Sequence, residues 1–157
     1  MISIRTAQVG DGDSLVETTR ALAQFHGYDD SFKASAEDFE RALFRVNPVI
    51  GALIAERDGH LAGTVVWHRS FSTNAGQEIM YLEDILVMPD FRRMGVAKAL
   101  MRATAQLAVE QGYDAVFWMA KDWNEGALKF YRECGADIEP AFQLCRLKGE
   151  ALKALAL

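Results

Sequence analysis

Residues 82–100 read LEDILVMPDFRRMGVAKAL, and the fold turns on them. The apolar run 78–88 (EIMYLEDILVM) predicts a strand, and Pro89 ends it. A helix is predicted from about Gly95 to Gly112, because Val96, Ala97, Leu100, Met101, Leu107 and Ala108 recur with a period near 3.6. Between strand and helix lies Arg92-Arg93-Met94-Gly95-Val96-Ala97, of the form [Q/R]-x-x-G-x-[G/A]. Small residues there let a ligand come close to the backbone. The first N–H groups of a helix have no intrahelical partner, and the helix dipole adds partial positive charge. A pyrophosphate suits such a place, with Arg92 and Arg93 supplying formal charge at its edge. Taken alone, the hexamer also reads as a plain strand-to-helix turn.

Working outward, residues 2–6 alternate as a short first strand. A helix is predicted from near Ser14 to Gly27, and a second one behind Ser35 as N-cap with Asp38 three residues on. The runs 49–55 and 60–69 flank Asp58-Gly59, a hairpin signal. Residues 70–77 read as a polar loop. Beyond the long helix, residues 115–120 are wholly apolar, as a strand buried on both faces would be. A short helix from Asn124 to Glu133 with Gly135 behind it, a weaker strand near 141–147 and a terminal helix complete the chain. This order predicts one mixed α/β domain over residues 1–157 with a largely antiparallel sheet.

The formal net charge of −5 argues weakly against a nucleic-acid partner, which wants a basic face. No apolar run approaches the roughly 20 residues that span a bilayer, so no membrane partner is expected. The N-terminus lacks the pattern of a targeting signal. Cys134 and Cys145 have no CxxC spacing and read as thiols of a cytoplasmic protein. His26, His60 and His68 form no metal-binding pattern, so no metal is expected.

Context strengthens the hexamer. About thirty residues after it come Asn124 and Phe130-Tyr131-x-x-x-Gly135-Ala136. The stretch 82–100 and the stretch WNEGALKFYRECGA (123–136) together resemble the two cofactor segments of the GNAT acetyltransferase superfamily. Within it, "YLEDILVMPDFR", Trp123-Asn124-Glu125 and Lys129-Phe130-Tyr131 are most similar to the spermidine/spermine (diamine) acetyltransferases and their bacterial relatives. The resemblance implies a six- to seven-stranded, largely antiparallel sheet with helices on both faces, its fourth and fifth strands splayed at the cofactor. It implies acetyl-CoA as co-substrate, a small-molecule amine acceptor and a homodimer. Departures are Arg93 where a glycine is frequent, Ala97 for Gly, Phe25-His26 for a "YE" pair and Phe142 for a common Trp.

The resemblance assigns the pantetheine arm to the backbone of Ile85, Leu86 and Val87, with Asn124 and Ala127, and the pyrophosphate to Arg92–Ala97 with Lys98. Asn124 reads alternatively as a helix N-cap. Tyr131 is the candidate general acid for the leaving thiolate, against the alternative of a packed ring with a backbone bond. Glu83 is the candidate base, since an alkyl ammonium with a pKa near 10 must lose a proton before it attacks. Asp84, next in the strand, is expected on the opposite sheet face, where it would orient Glu83 or bind cation. Either carboxylate alternatively makes a structural ion pair. His26 and Tyr28 are candidates for the acceptor pocket. Met80, Met88 and Met94, and the three tryptophans, read as core. Two rival functions are a protein-lysine or N-terminal acetyltransferase and a non-catalytic acetyl-CoA-binding module.

Overall fold

In the computed structural model five of the six predicted strands form one sheet in the order β1-β2-β3-β4-β5. The structure describes residues 1–141 and 144–156. These fall into two compact units, Met1–Met119 and Ala120–Leu157. The first unit holds β1 (Ile2–Thr6), α1 (Gly12–Phe25), α2 (Ala36–Phe44), β2 (Gly51–Arg57), β3 (His60–Ser72), β4 (Gln77–Val87), α3 (Val96–Glu110) and β5 (Val116–Trp118). Neighbouring strands are antiparallel except β4 and β5, which α3 joins as a parallel crossover.

Each face of this sheet has its own apolar cluster. Val96 and Leu100 of α3 pack with Leu53, Val65 and Leu82 on one face. Leu15 of α1 and Leu43 of α2 pack with Ala52, Ile54 and Val66 on the other. The unbroken burial of Ala52–Ala55 follows, because alternate residues meet different helices. Each fully buried Leu or Ile contributes about 1.5–3 kcal/mol. The two buried threonines between sheet and α1 satisfy each other: Thr64 donates to the Thr18 hydroxyl at 2.8 Å, and Thr18 to the Ser14 carbonyl at 3.0 Å. The expected Ser35 cap is present as a capping box with Asp38. The Arg5 guanidinium holds Asp11 through two bonds of 2.6 and 2.9 Å, which ties β1 to the start of α1 and lowers the Asp11 carboxyl pKa.

Two β-bulges shape the sheet. One lies where β2 meets β3, between Ala55 and Glu56. The other matters for the site. Val66 pairs with Asp84 but Trp67 pairs with Leu82, so Glu83 is an extra residue in β4.

Some expectations change. β3 and β4 extend into the expected polar loop, leaving residues 73–76 as the turn. β5 has three residues with Phe117 half-exposed, so it is the sheet's edge and is not buried on both faces. Met94 and Trp123 are exposed rather than core. Of the strand expected at 141–147, Phe142 and Gln143 lie outside the described residues, and residues 144–147 join no strand. The described residues therefore show five strands. Among them, no helix is long and apolar enough to cross a membrane.

The second unit holds α4 (Glu125–Glu133) and α5 (Gly149–Leu155). Gly135, with φ +88°, closes α4, and the Ala136 N–H donates to the Tyr131 carbonyl at 3.0 Å.

Candidate active site

The site begins with a change along β4. From Met80 to Leu82 the strand pairs with both β3 and β5. Beyond Leu82, among the described residues, it pairs with β3 alone, because β5 stops at Trp118. The two strands thus part at their C-terminal ends. The Met88 N–H donates to the Ala62 carbonyl at 2.9 Å. Antiparallel pairing alternates, so Leu86 and Asp84 also turn their main-chain groups to β3. The N–H and C=O of Ile85 and Val87 therefore face the unpaired side. Those of Leu86 do not, and its side chain is buried. Sequence alone does not separate the three residues.

The turn after β4 continues this edge. Arg93 adopts a left-handed φ of +63° and Gly95 one of +86°. Gly95 is the N-cap of α3 and has no side chain to occupy the helix's first N–H groups. Such a turn gathers backbone donors into an anion-binding concavity. Arg92, Arg93, Met94 and Lys98 are exposed around it. Val96 faces inward as core, so its part in holding a ligand is its backbone. Ala97, the other small position, lies in the first turn of α3. The Arg92 Nε donates to the Val87 carbonyl at 3.4 Å, and its guanidinium lies 5.5 Å from the centre of the Phe25 ring. These donors and cations fit the pyrophosphate of a coenzyme A thioester.

The two carboxylates sit differently from the expectation. Asp84 and Glu83 both project to the α1 face, because the bulge cancels one step of the alternation. Glu83 is exposed, and its Oε2 lies 3.7 Å from the His68 Nε2. Asp84 lines a cavity of about 270 Å³ together with Thr19, Ala23, Tyr28, Phe32 and Lys33. Burial, and then the neighbouring Glu83 charge, push the Asp84 carboxyl up to about 6. The same two causes raise the Tyr81 phenol. His26 and Tyr28 share a hydrogen bond of 2.7 Å between Nδ1 and the phenol oxygen. Of this pair, Tyr28 is the one that lines the cavity.

In the second unit, the Asn124 Oδ1 accepts the Ala127 N–H at 3.2 Å and caps α4. Tyr131 is buried on α4. Burial first, and the nearby Cys134 second, raise its phenol pKa, so it holds its proton at neutral pH.

Sequence reasoning missed Lys33 and Thr19. Lys33 follows a single-turn 3-10 helix, Asp29–Ser31, and carries no motif. The Thr19 Oγ1 is buried with no hydrogen-bond partner among the described residues, a fact that only packing shows.

A family model for the acetyltransferase (GNAT) family matches residues 15–136. The chain is 30% identical over 166 residues to a thialysine N-epsilon-acetyltransferase of Bos taurus, covering 99% of this chain and 97% of that one. It is 37% identical over 95 residues to an L-ornithine N5-acetyltransferase of Arabidopsis thaliana, covering 60% and 42%. An integron cassette protein from the mobile metagenome of V. cholerae has the same fold, with a TM-score of 0.79, 23% identity and coverage of 99% and 97%. The chain belongs to the GNAT acetyltransferase family and has its fold; it is an acetyl-CoA-dependent N-acetyltransferase.

Proposed function

We propose that this chain transfers the acetyl group directly to a small primary amine, on a polyamine, diamine or lysine-like amino acid, with residues 1–157 as one catalytic domain. The observation that carries the reading is the Asp84 carboxyl in a cavity, on the strand whose next residues present unpaired main-chain groups. Two relatives named for thialysine and for L-ornithine support an amine of that size. The proposal includes a homodimer, from family likeness, and the cytoplasmic setting expected from the sequence.

Acetyl-CoA supplies the activated thioester. Ile85 and Val87 hold the pantetheine arm by main-chain bonds, as an added strand would be held. Arg92–Lys98 hold the pyrophosphate, and Asn124 and Ala127 complete the arm's contacts. Asp84 binds the arriving ammonium. Glu83 accepts its proton, through water, so that the neutral amine can attack. As the N–C bond forms and the C–S bond breaks, Tyr131 gives its phenol proton to the departing sulfur, and the second proton that leaves the acylated nitrogen passes through water to restore the phenol.

Thiol release from acetyl-CoA across a panel of amines tests this reading. Binding of acetyl-CoA without release for any amine would leave a binding module in its place. Tyr131→Phe should keep acetyl-CoA affinity by calorimetry and lose about 10²–10⁴ in turnover. Turnover within about threefold of the parent would remove Tyr131 as the acid.

A further inference from the structure

We propose, resting on the amine-acetylation reading above, that Lys33 forms a carboxylate subsite in the acceptor cavity, so that the substrate is an ω-amino acid and not a polyamine. Among the described residues lining the cavity, Asp84 and Lys33 are the charged ones, and they have opposite sign. Asp84 lies on β4. Lys33 lies on the segment that follows α1 and the short 3-10 helix. A molecule spanning the cavity therefore meets an anion from one element and a cation from another. A diamine or polyamine would place its second ammonium in a cavity that holds Lys33 with, among the described residues, no carboxylate beside it to offset the like charge. A molecule with an amine at one end and a carboxylate at the other satisfies both walls.

The Lys33 segment is held by bonds of its own. The Ser31 Oγ donates to the Tyr28 carbonyl at 2.8 Å, and the Phe32 N–H donates to the Asp29 carbonyl at 2.9 Å. The Arg20 guanidinium lies 5.2 Å from the centre of the Phe32 ring, which pins the segment against α1. Asp29 and Asp30 belong to the same segment but do not line the cavity, so they do not reverse its charge pattern. Lys33 itself is exposed, so its ammonium needs no buried partner and can meet a carboxylate at the cavity mouth.

The test uses matched pairs that differ only by the carboxylate: L-lysine against 1,5-diaminopentane, and L-ornithine against 1,4-diaminobutane. Thiol release from acetyl-CoA gives kcat/KM for each, with the full chain. The parent should prefer each amino acid by about tenfold or more, the scale of one charge-assisted contact. Lys33→Glu should lower kcat/KM for the amino acids by about tenfold, mainly through KM, and raise it for the diamines. Lys33→Arg should restore the parent order. A parent that takes the diamines as well as the amino acids overturns the subsite, as does a Lys33→Glu variant that moves both classes equally. Release with none of the four amines overturns the acetylation reading itself, an outcome distinct from lost discrimination.

Discussion

The two halves of β4 are both mostly apolar and have opposite duties. Before the bulge, Met80–Leu82 are paired on both sides, and Ile79, Met80 and Leu82 are sealed in the core. After it, one side has no partner strand among the described residues, a carboxyl sits at a cavity wall, and Ile85 and Val87 turn their main-chain groups to the open side, where Arg92 meets the Val87 carbonyl. One extra residue, Glu83, separates the halves. It turns Ile85 and Val87 to the α3 face and Asp84 to the α1 face, which reverses the assignment that unbroken alternation would give. The first half therefore supplies stability, and the second gives some of it up for chemistry.

The largest expected effect attacks the first half. Leu82 is 2% exposed in the α3-side cluster. Leu82→Ala should cost about 2–5 kcal/mol by denaturant unfolding. Acetyl-CoA affinity per folded molecule should stay unchanged, because Leu82 precedes the open edge. A variant that keeps its stability but loses acetyl-CoA affinity would break the division between the halves.

The second half runs the other way. An aspartate held at about 6, against 3.8 unperturbed, binds its proton more tightly in the folded chain. Folded Asp84 therefore carries more proton than unfolded Asp84 between about pH 4 and 6, and stability falls as pH rises through that window. Above it the full penalty stands, about 3 kcal/mol from a shift of about two pK units. Asp84→Asn should recover most of this at pH 7 and little below about pH 4. It should also raise the KM for the amine. A variant no more stable at pH 7 than at pH 4, relative to the parent, would mean that the carboxylate is already matched by a cation.

How much of this was legible in sequence follows from what each feature depends on. The hexamer 92–97 and the Ser35 capping box depend on residue types at fixed short spacing, and both were readable. The parting of β4 from β5 came only through family resemblance, because it depends on where a distant short strand stops. The bulge at Glu83 was invisible. A run of alternating and mixed apolar residues carries no mark of an extra residue, since the shift is set by pairing with β3. That is why Glu83 and Asp84 read as facing apart when they share a face. Lys33 was missed for a related reason: its place in the cavity depends on how residues 28–34 fold back on α1, and no spacing rule encodes that.

The smallest expected effect sharpens the relation between the two carboxylates. Glu83 is exposed, and its charge is the second cause of the raised Asp84 pKa. Glu83→Gln is nearly isosteric and removes that charge, so the Asp84 carboxyl should titrate below its present value of about 6. Turnover should fall by up to about 10²-fold at neutral pH if Glu83 takes the ammonium proton. Part of that loss should return as pH rises, because bulk base then supplies the neutral amine that Glu83 no longer prepares. A pH–rate profile of parent and variant reads both effects at once. The acid limb should move to lower pH with the Asp84 titration, and the plateau should drop and then recover on the alkaline side. An acid limb that moves without a lower plateau would make Glu83 only the electrostatic neighbour of Asp84. Superimposable profiles would remove it from both roles and leave Asp84, or an ordered water, to take the proton.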